Sequence, residues 1–243
     1  DFTASHFRNC VQAFFDAARS RNGWPCWSFS NHDVIRHVSR WAGHSLELDD
    51  LARQAAALLL SFEGTICLYQ GEELGQTETQ LAFEELVDPP GITFWPEYKG
   101  RDGCRTPMVW EPSNQNGGFT SGQPWLPVSH EHLNRTVSHQ EDDPAAILHH
   151  YRRAIAFRHA QPALAKGDHD GVKNTDTIVH FTRSHEGSTI FCAFNLSDQP
   201  ATMDMPSGNW AQIGLELGSA GPQADGKLHL GPWQPCLALK MNS

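Results

Sequence analysis

The sequence predicts an α/β fold, a parallel sheet covered by helices on both faces, followed by a small antiparallel β domain. Three observations carry this expectation. Amphipathic helical stretches alternate with short, almost wholly apolar runs in the order helix, strand, helix, strand, the pattern of a sheet buried on both sides. A stretch rich in Gly, Pro and Trp (71–143) then separates the second apolar run from a third helix. After Pro162 the pattern changes to short β-rich runs divided by Gly, Asn and Asp, which read as turns between antiparallel strands.

Phe7, Val11, Phe14, Phe15 and Ala18 fall on one helical face, and Asn22-Gly23 ends that helix. Trp24 to Ser30 follows as a buried strand. Leu48, Leu51, Ala55, Leu58 and Phe62 mark a second amphipathic helix, ended by Gly64, and Thr65 to Tyr69 a second buried strand. Asp142-Asp143-Pro144 caps the third helix, whose Leu148, Tyr151 and Ile155 face inward and which Pro162 closes. The excursion 71–143 is too long for an ordinary connection, which marks it as a functional insertion. Thr177 to Arg183, Thr189 to Asn195 and Pro235 to Lys240 are the strands of the second domain. The expected division is therefore 1–162 and 163–243.

Composition removes several function classes. A net charge of −10 argues against nucleic acid, whose phosphates require clustered Lys and Arg. No apolar stretch approaches the roughly 18 residues of a membrane span. Eight Trp and thirteen Phe supply faces that stack on sugar rings, although core packing accounts for most of them. The six cysteines lack any C-x-x-C spacing; Cys26 and Cys67 lie in apolar runs as small hydrophobes. All six read as reduced thiols of a reducing compartment, hence a cytoplasmic protein. Asn134-Arg135-Thr136 and Asn195-Leu196-Ser197 match a glycosylation sequon that is common by chance. Among fourteen histidines, His130, His132, His139, His149 and His150 are the densest group. They lack zinc-like spacing and read as solvated loop and helix residues, so no metal or cofactor is assigned. The chain starts at Asp1 and enters helical periodicity at once, from which we expect the protein to begin further upstream.

The stretch Ser28-Phe29-Ser30-Asn31-His32-Asp33 carries the first sign of chemistry. An apolar run leads directly into an adjacent His-Asp pair. At the carboxyl end of a buried strand such a pair would face a cleft above the sheet. A carboxylate beside an imidazole can grip the hydroxyls of one sugar ring or stabilise positive charge on it. The residues alone leave two other readings open: a surface turn, since Asn, His and Asp are turn formers, and a metal hydrolase using His32 and Asp33.

Three further segments overturn the surface-turn reading: Thr65-Ile66-Cys67-Leu68-Tyr69-Gln70-Gly71-Glu72-Glu73-Leu74-Gly75, Gly100-Arg101-Asp102-Gly103-Cys104-Arg105-Thr106-Pro107-Met108-Val109-Trp110, and Gly118-Phe119-Thr120-Ser121-Gly122-Gln123-Pro124-Trp125-Leu126-Pro127. In this order they resemble the α-amylase superfamily of glycoside hydrolases, specifically its α-glucosidase and oligo-1,6-glucosidase branch. The motifs are strong from Asp1 to Trp125 and weak from there to Gly231-Pro232-Trp233. The resemblance implies the C-terminal part of a (β/α)₈ TIM barrel, strands seven and eight with flanking helices, with the excursion at the active-site end of strand eight. It also implies a terminal β domain that packs on the barrel and carries no chemistry.

The same resemblance implies an enzyme that removes terminal α-linked glucose with retention, passing it to water or an alcohol acceptor. Retention needs a nucleophilic carboxylate and a carboxylic acid about 5 Å apart. The family's Gly-Phe-Arg-x-Asp context for the nucleophile, and that of the acid Glu, do not occur in these residues. Asp33 matches the third acidic residue, the transition-state stabiliser, and His32 the histidine that hydrogen-bonds the same sugar. Arg101 matches the arginine that pairs with an upstream Asp and closes the pocket behind the non-reducing sugar. Arg105 reads as a brace or a site residue, and Arg36 as an aglycone contact or an exposed charge at a helix start. Glu72 and Glu73 shape the strand-eight end, where Gly71 and Gly75 supply tight backbone. The implied partners are an α-glucoside or oligosaccharide and an N-terminal half of the same protein; the family's calcium or magnesium site would lie in that half. Three alternatives stay open: a sucrose-, isomaltulose- or trehalose-processing enzyme of the same superfamily, a non-catalytic barrel-derived scaffold, and, apart from the resemblance, the metal hydrolase using His32 and Asp33.

Overall fold

The computed structural model describes residues 2–45 and 47–241. In chain order its elements are α1 (Ala4–Arg19), β1 (Cys26–Trp27), α2 (His37–Trp41), α3 (Leu48–Leu59), β2 (Thr65–Ile66), α4 (Pro89–Thr93), α5 (Asp102–Arg105), α6 (Val137–Glu141), α7 (Ile147–Ala160), α8 (Pro162–Lys166) and eight strands, β3 (Asp168–His169), β4 (Lys173–Asn174), β5 (Ile178–His185), β6 (Ser188–Asn195), β7 (Ala201–Asp204), β8 (Trp210–Ile213), β9 (Lys227–Leu230) and β10 (Pro235–Lys240). The chain divides into two compact units, residues 1–27, 44–67 and 150–243 in one, residues 28–43 and 68–149 in the other. No helix among the described residues is long and apolar enough to cross a membrane.

In the first unit α1 starts where Thr3 accepts the His6 N–H and ends before Asn22, whose φ of 54° turns the chain. Val11 and Phe15 are buried as the periodicity expects, while Phe14 is exposed and packs edge-on against Trp27. β1 and β2 pair in parallel, Cys26 opposite Thr65 and Trp27 opposite Ile66. Both are shorter than the apolar runs that announce them, and Cys26 and Cys67 are exposed rather than buried. A two-residue pair has one hydrogen-bonded neighbour per strand, so most of each run has no ladder to join. α3 buries Leu51, Ala55 and Leu58, and Gly64 follows with φ +118°. A side chain at Gly64 would strike the Pro25 carbonyl, so the close approach that brings β2 to β1 requires glycine there.

The antiparallel sheet runs β3-β5-β6-β10-β8, with β4 also on β5 and a separate β7-β9 ribbon. β5 and β6 form a hairpin whose two central residues, Glu186 (φ 46°) and Gly187 (φ 83°), have the positive φ pair of a type I′ turn. Ile178, Phe191, Ala193 and Ala238 meet Met203, Leu228 and Leu230 of the ribbon in one apolar cluster. On the other side Phe62 packs on Phe15 and Phe181, and Phe181 on Phe194. Aromatic rings thus join α1 and the end of α3 to the sheet. Pro162 closes α7 and opens α8, where its missing N–H and fixed φ suit the first turn.

The second unit holds α2, α4, α5 and α6 around two apolar clusters. Leu74, Val109 and Leu148 are packed by Met108, Val128, Leu133 and Val137; Leu81, Leu86 and Leu126 are packed by Trp95. Motif residues Val109 and Leu126 are therefore core, with the half-buried Met108 packed on the cluster of Val109, and they anchor the loops that carry the polar motif positions.

Two histidines expected to be solvated, His132 and His150, are buried instead. Each has a specific long-range partner. His132 accepts at Nδ1 from Gln76 and donates from Nε2 to Thr77. His150 donates from Nε2 to the Arg53 carbonyl. Burial lowers both to about 4, and likewise His169 to about 4 and His37 to about 3. The unfolded chain, with histidines near 6.5, binds more protons than the folded one between about pH 4 and 6.5. Stability is thus complete above about 6.5 and falls as pH drops below it, by roughly 1.4 kcal/mol per pH unit for each such histidine. Thermal melts from pH 8 to pH 5 should show a plateau above pH 7 and a steep fall beneath it. A midpoint unchanged between pH 7 and 5 would contradict the neutral, buried assignment.

Candidate active site

Asn31, His32 and Asp33 follow β1 in sequence and form a tight turn. The Asn31 side-chain oxygen accepts the Asp33 N–H at 2.8 Å, and Asn31 bridges to Val34. The turn reading and the site reading of this stretch are therefore compatible: an Asx turn projects the carboxylate. α2 braces it from behind. His37 donates its backbone N–H to the Ser30 hydroxyl at 2.9 Å, and the Arg40 guanidinium donates to the Phe29 carbonyl at 2.6 Å.

Asp33 is half-exposed and meets two arginines and a histidine. Arg101 donates from Nη1 to Oδ1 at 2.9 Å, and Arg105 from Nη2 to the same oxygen at 3.3 Å. His32 Nε2 lies 3.4 Å from Oδ2. The Arg101 hydrogen bond holds the Asp33 carboxyl below the ordinary carboxylate range against the opposing effect of burial, and the neighbouring charges add to the lowering. The group is consequently an anion at any pH near neutrality. Two guanidiniums on one oxygen also make Asp33 a poor ligand for a metal cation, which counts against the metal-hydrolase reading.

Arg101 is pinned from its other edge by Asp88, a residue that sequence reading passed over. Asp88 Oδ2 accepts the Arg101 backbone N–H at 2.9 Å and Nε at 3.0 Å, and Oδ1 accepts Nη2 at 2.7 Å. The pairing lowers Asp88 and raises Arg101 further. Asp88 is in turn fixed by Asp102, whose Oδ2 accepts the N–H groups of Val87 and Asp88 at 2.8 and 2.7 Å. The only sequence signal for Asp88 is Val87-Asp88-Pro89-Pro90, which reads as a helix cap with Pro at the first positions. Arg101 thus pairs with Asp88 and Asp33, both of which precede it in the sequence.

Arg105 holds the His32 carbonyl at 2.8 Å through Nε and lies within 3.9 Å of Asp88 and 3.8 Å of Asp102. It belongs to the cluster as much as it braces it. Arg36 does not join the others, and the expectation of an exposed or substrate-facing charge is corrected. Its side chain is wholly buried, donates from Nη1 to the Gln70 carbonyl at 2.6 Å, and lies 5.2 Å from the Tyr69 ring centre. A guanidinium enclosed in this way ties the segment 69–70 to α2 and cannot reach a ligand at the surface. Glu72 is buried too and accepts the Tyr69 N–H at 3.3 Å. Gly71 and Gly75 have φ +81° and +66°, as the tight backbone there demands.

Asp33 and Arg101 line a cavity of about 360 Å³ with Val34, Ile35, Glu78 and Tyr98 among its walls, within the size range of small-molecule sites. A larger cleft of about 850 Å³ along Asn114–Gly117 and Ser121–Trp125 holds none of these charged groups. The smaller cavity is the candidate site because the converging charges are there.

Residues 1–167 match the family described as α-amylase, catalytic domain. The chain belongs to that family. It is 56% identical over 184 residues to a probable α-glucosidase of Rhizobium meliloti (strain 1021), covering 76% of this chain and 33% of that protein. With an oligo-1,6-glucosidase of Heyndrickxia coagulans the identity is 32% over 207 residues, 77% of this chain and 37% of the relative. Among solved structures, an α-glucosyl transfer enzyme superposes with a TM-score of 0.89 at 43% identity, covering 99% of this chain and 44% of the other. The chain thus spans between a third and a half of the length of these proteins. The fold is that of these barrel enzymes: the parallel β1-β2 pair with its helices is part of a (β/α)₈ barrel, followed by a small antiparallel β sheet.

Proposed function

We propose that the chain is part of an α-glucosidase that removes terminal α-linked glucose from oligosaccharides and α-glucosides with retention. The observation that supports this best is the half-exposed Asp33 anion held by a guanidinium that is itself fixed from behind. In a retaining mechanism the sugar becomes cationic in the transition state, and a preorganised anion favours that state over the ground state. In this reading Asp33 stabilises the cation, His32 hydrogen-bonds the same glucose, and Arg101 walls the pocket behind it. The nucleophile and the acid are not assigned to any residue of this chain. Transfer to an alcohol acceptor is part of the proposal, favoured by the 43% identity to an α-glucosyl transfer enzyme. The test is the full-length protein on p-nitrophenyl α- and β-glucosides, with the released anomer read by NMR. Turnover of the α-glucoside with initial release of α-glucose is expected; β-glucoside turnover or initial β-glucose would refute it.

The reading makes Arg101→Lys costly. Lys keeps the charge and loses the planar fork that spans two carboxylates. Losing one charge-assisted hydrogen bond of about 1.5–3 kcal/mol lowers kcat/KM by roughly tenfold to a hundredfold. Because the contact is to the glucose, maltose, isomaltose and p-nitrophenyl α-glucoside should lose equally. A loss confined to one aglycone would move Arg101 out of the glucose site.

A further inference from the structure

Arg101 touches two carboxylates of opposite character. Asp33 is half-exposed and takes a single bond from Nη1, whereas Asp88 is 1% exposed and takes the backbone N–H, Nε and Nη2. The whole Nε/Nη2 edge of the guanidinium is therefore committed to the buried partner. Orientation of the fork is set from inside the protein. Only protons on Nη1 and the outer one on Nη2 remain for Asp33 and a ligand.

The inner partner is held as firmly as it holds. Asp102, fully buried, receives the N–H groups of Val87 and Asp88 on one oxygen. Asp88 therefore sits in a backbone anchored by a second carboxylate. The two chain segments also abut through glycines. A side chain at Gly91 would strike the Lys99 carbonyl, and one at Gly100, where φ is +76°, would meet Asp88 Oδ2 and Gly91. Segment 88–91 and segment 99–101 can lie this close only with glycine at both places.

We propose that Asp88 is a positioning residue: it fixes the fork of Arg101, and through Arg101 it fixes where the Asp33 carboxylate stands. This inference rests on the α-glucosidase reading. Without Asp88 the guanidinium would keep its charge and lose two of its three bonds. It would then turn toward Asp33, the remaining anion, and screen the charge that the cationic sugar needs. Asp88→Asn preserves size and removes the charge that competes for Arg101.

The experiment is a double-mutant cycle in the full-length protein with Asp88→Asn, Arg101→Lys and both together, read as kcat and KM on p-nitrophenyl α-glucoside. Asp88→Asn should lower kcat by about tenfold to a hundredfold, the range for a misplaced catalytic group, with a smaller change in KM. The double variant should be no slower than Arg101→Lys, because Asp88 acts only through Arg101. Asp88→Glu, which restores the charge, should recover part of the loss. Additive losses, or an Asp88→Asn variant with wild-type kcat, overturn the proposal. A wild-type protein without any α-glucoside turnover refutes the α-glucosidase reading, and the catalytic meaning of Asp88 with it. An active wild type with additive losses refutes the role of Asp88 alone.

Discussion

Asp33→Asn is expected to lower kcat on α-glucosides by at least about 10²-fold, the loss on removing one preorganised charge from a transition state, while KM changes little. The substitution keeps the shape of the side chain and its capacity to accept from Arg101 Nη1 and Arg105 Nη2, which lie at 2.9 and 3.3 Å. It removes only the charge. In the ground state the sugar is neutral, so binding through hydroxyls survives with an amide. In the transition state positive charge spreads over the ring, and the missing anion is felt there alone. Two guanidiniums would then face that cation without a carboxylate between them, which makes the loss larger than for an isolated Asp. Steady-state kinetics of wild type and Asp33→Asn on p-nitrophenyl α-glucoside decide the matter. More than a tenth of wild-type kcat remaining would show that the charge is not used in the transition state.

Why part of this site was legible in the sequence, and part was not, follows from the range of the forces involved. His32 and Asp33 stand at the end of an apolar run, and Arg101 stands in a motif of unusual composition, so local pattern and family resemblance locate both. Helix faces such as Val11 with Phe15, or Leu51 with Ala55 and Leu58, follow from period alone. Asp88 is different. Its meaning comes from Arg101, which is distant in sequence, and from Asp102, which is buried under it. Nothing in Asp-Pro-Pro distinguishes that role from a cap. Arg36 is the converse case. A charged residue opening a short helix reads as solvated, and only the Gln70 carbonyl and the Tyr69 ring explain its burial. His132 and His150 fail for the same reason, since the partners that allow a polar ring inside are Gln76, Thr77 and Arg53. The short strands β7, β8 and β9 lack a long apolar run, and their existence depends on the strand beside them.

The largest stability loss is expected at Arg158. After α3 the chain turns into β2 through residues 60–64, and this turn leaves carbonyls that no helix N–H can reach. Two buried arginines take them. Arg158 on α7 donates from Nη1 to the Leu60 and Phe62 carbonyls at 2.7 and 2.8 Å and from Nη2 to that of Gly64 at 2.8 Å. Arg183 on β5 takes the Ser61 carbonyl at 2.6 Å and those of Leu164 and Gly167 at 2.9 and 2.6 Å. Burial lowers both arginines, Arg183 to about 10, so both remain cations at neutral pH and suit the negative end of a helix. Arg158→Met keeps the length of the stem and strands three carbonyls without donors. Each buried, unpaired group costs about 1–3 kcal/mol, against which stands the relief of no longer burying a cation, itself several kcal/mol. The cation's cost is already offset in the native protein by its three short bonds, so the net loss is expected at about 3 kcal/mol. At 2–4 °C per kcal/mol for chains of roughly this size, the melting midpoint should fall by about 6–12 °C. Arg158→Lys should recover little of it, because one ammonium on a flexible stem cannot meet three carbonyls held in the plane of a fork. Differential scanning calorimetry of wild type and both variants gives the comparison. A lysine variant as stable as wild type would mean that charge at the helix end, and not the three-carbonyl geometry, holds the turn that leads into β2.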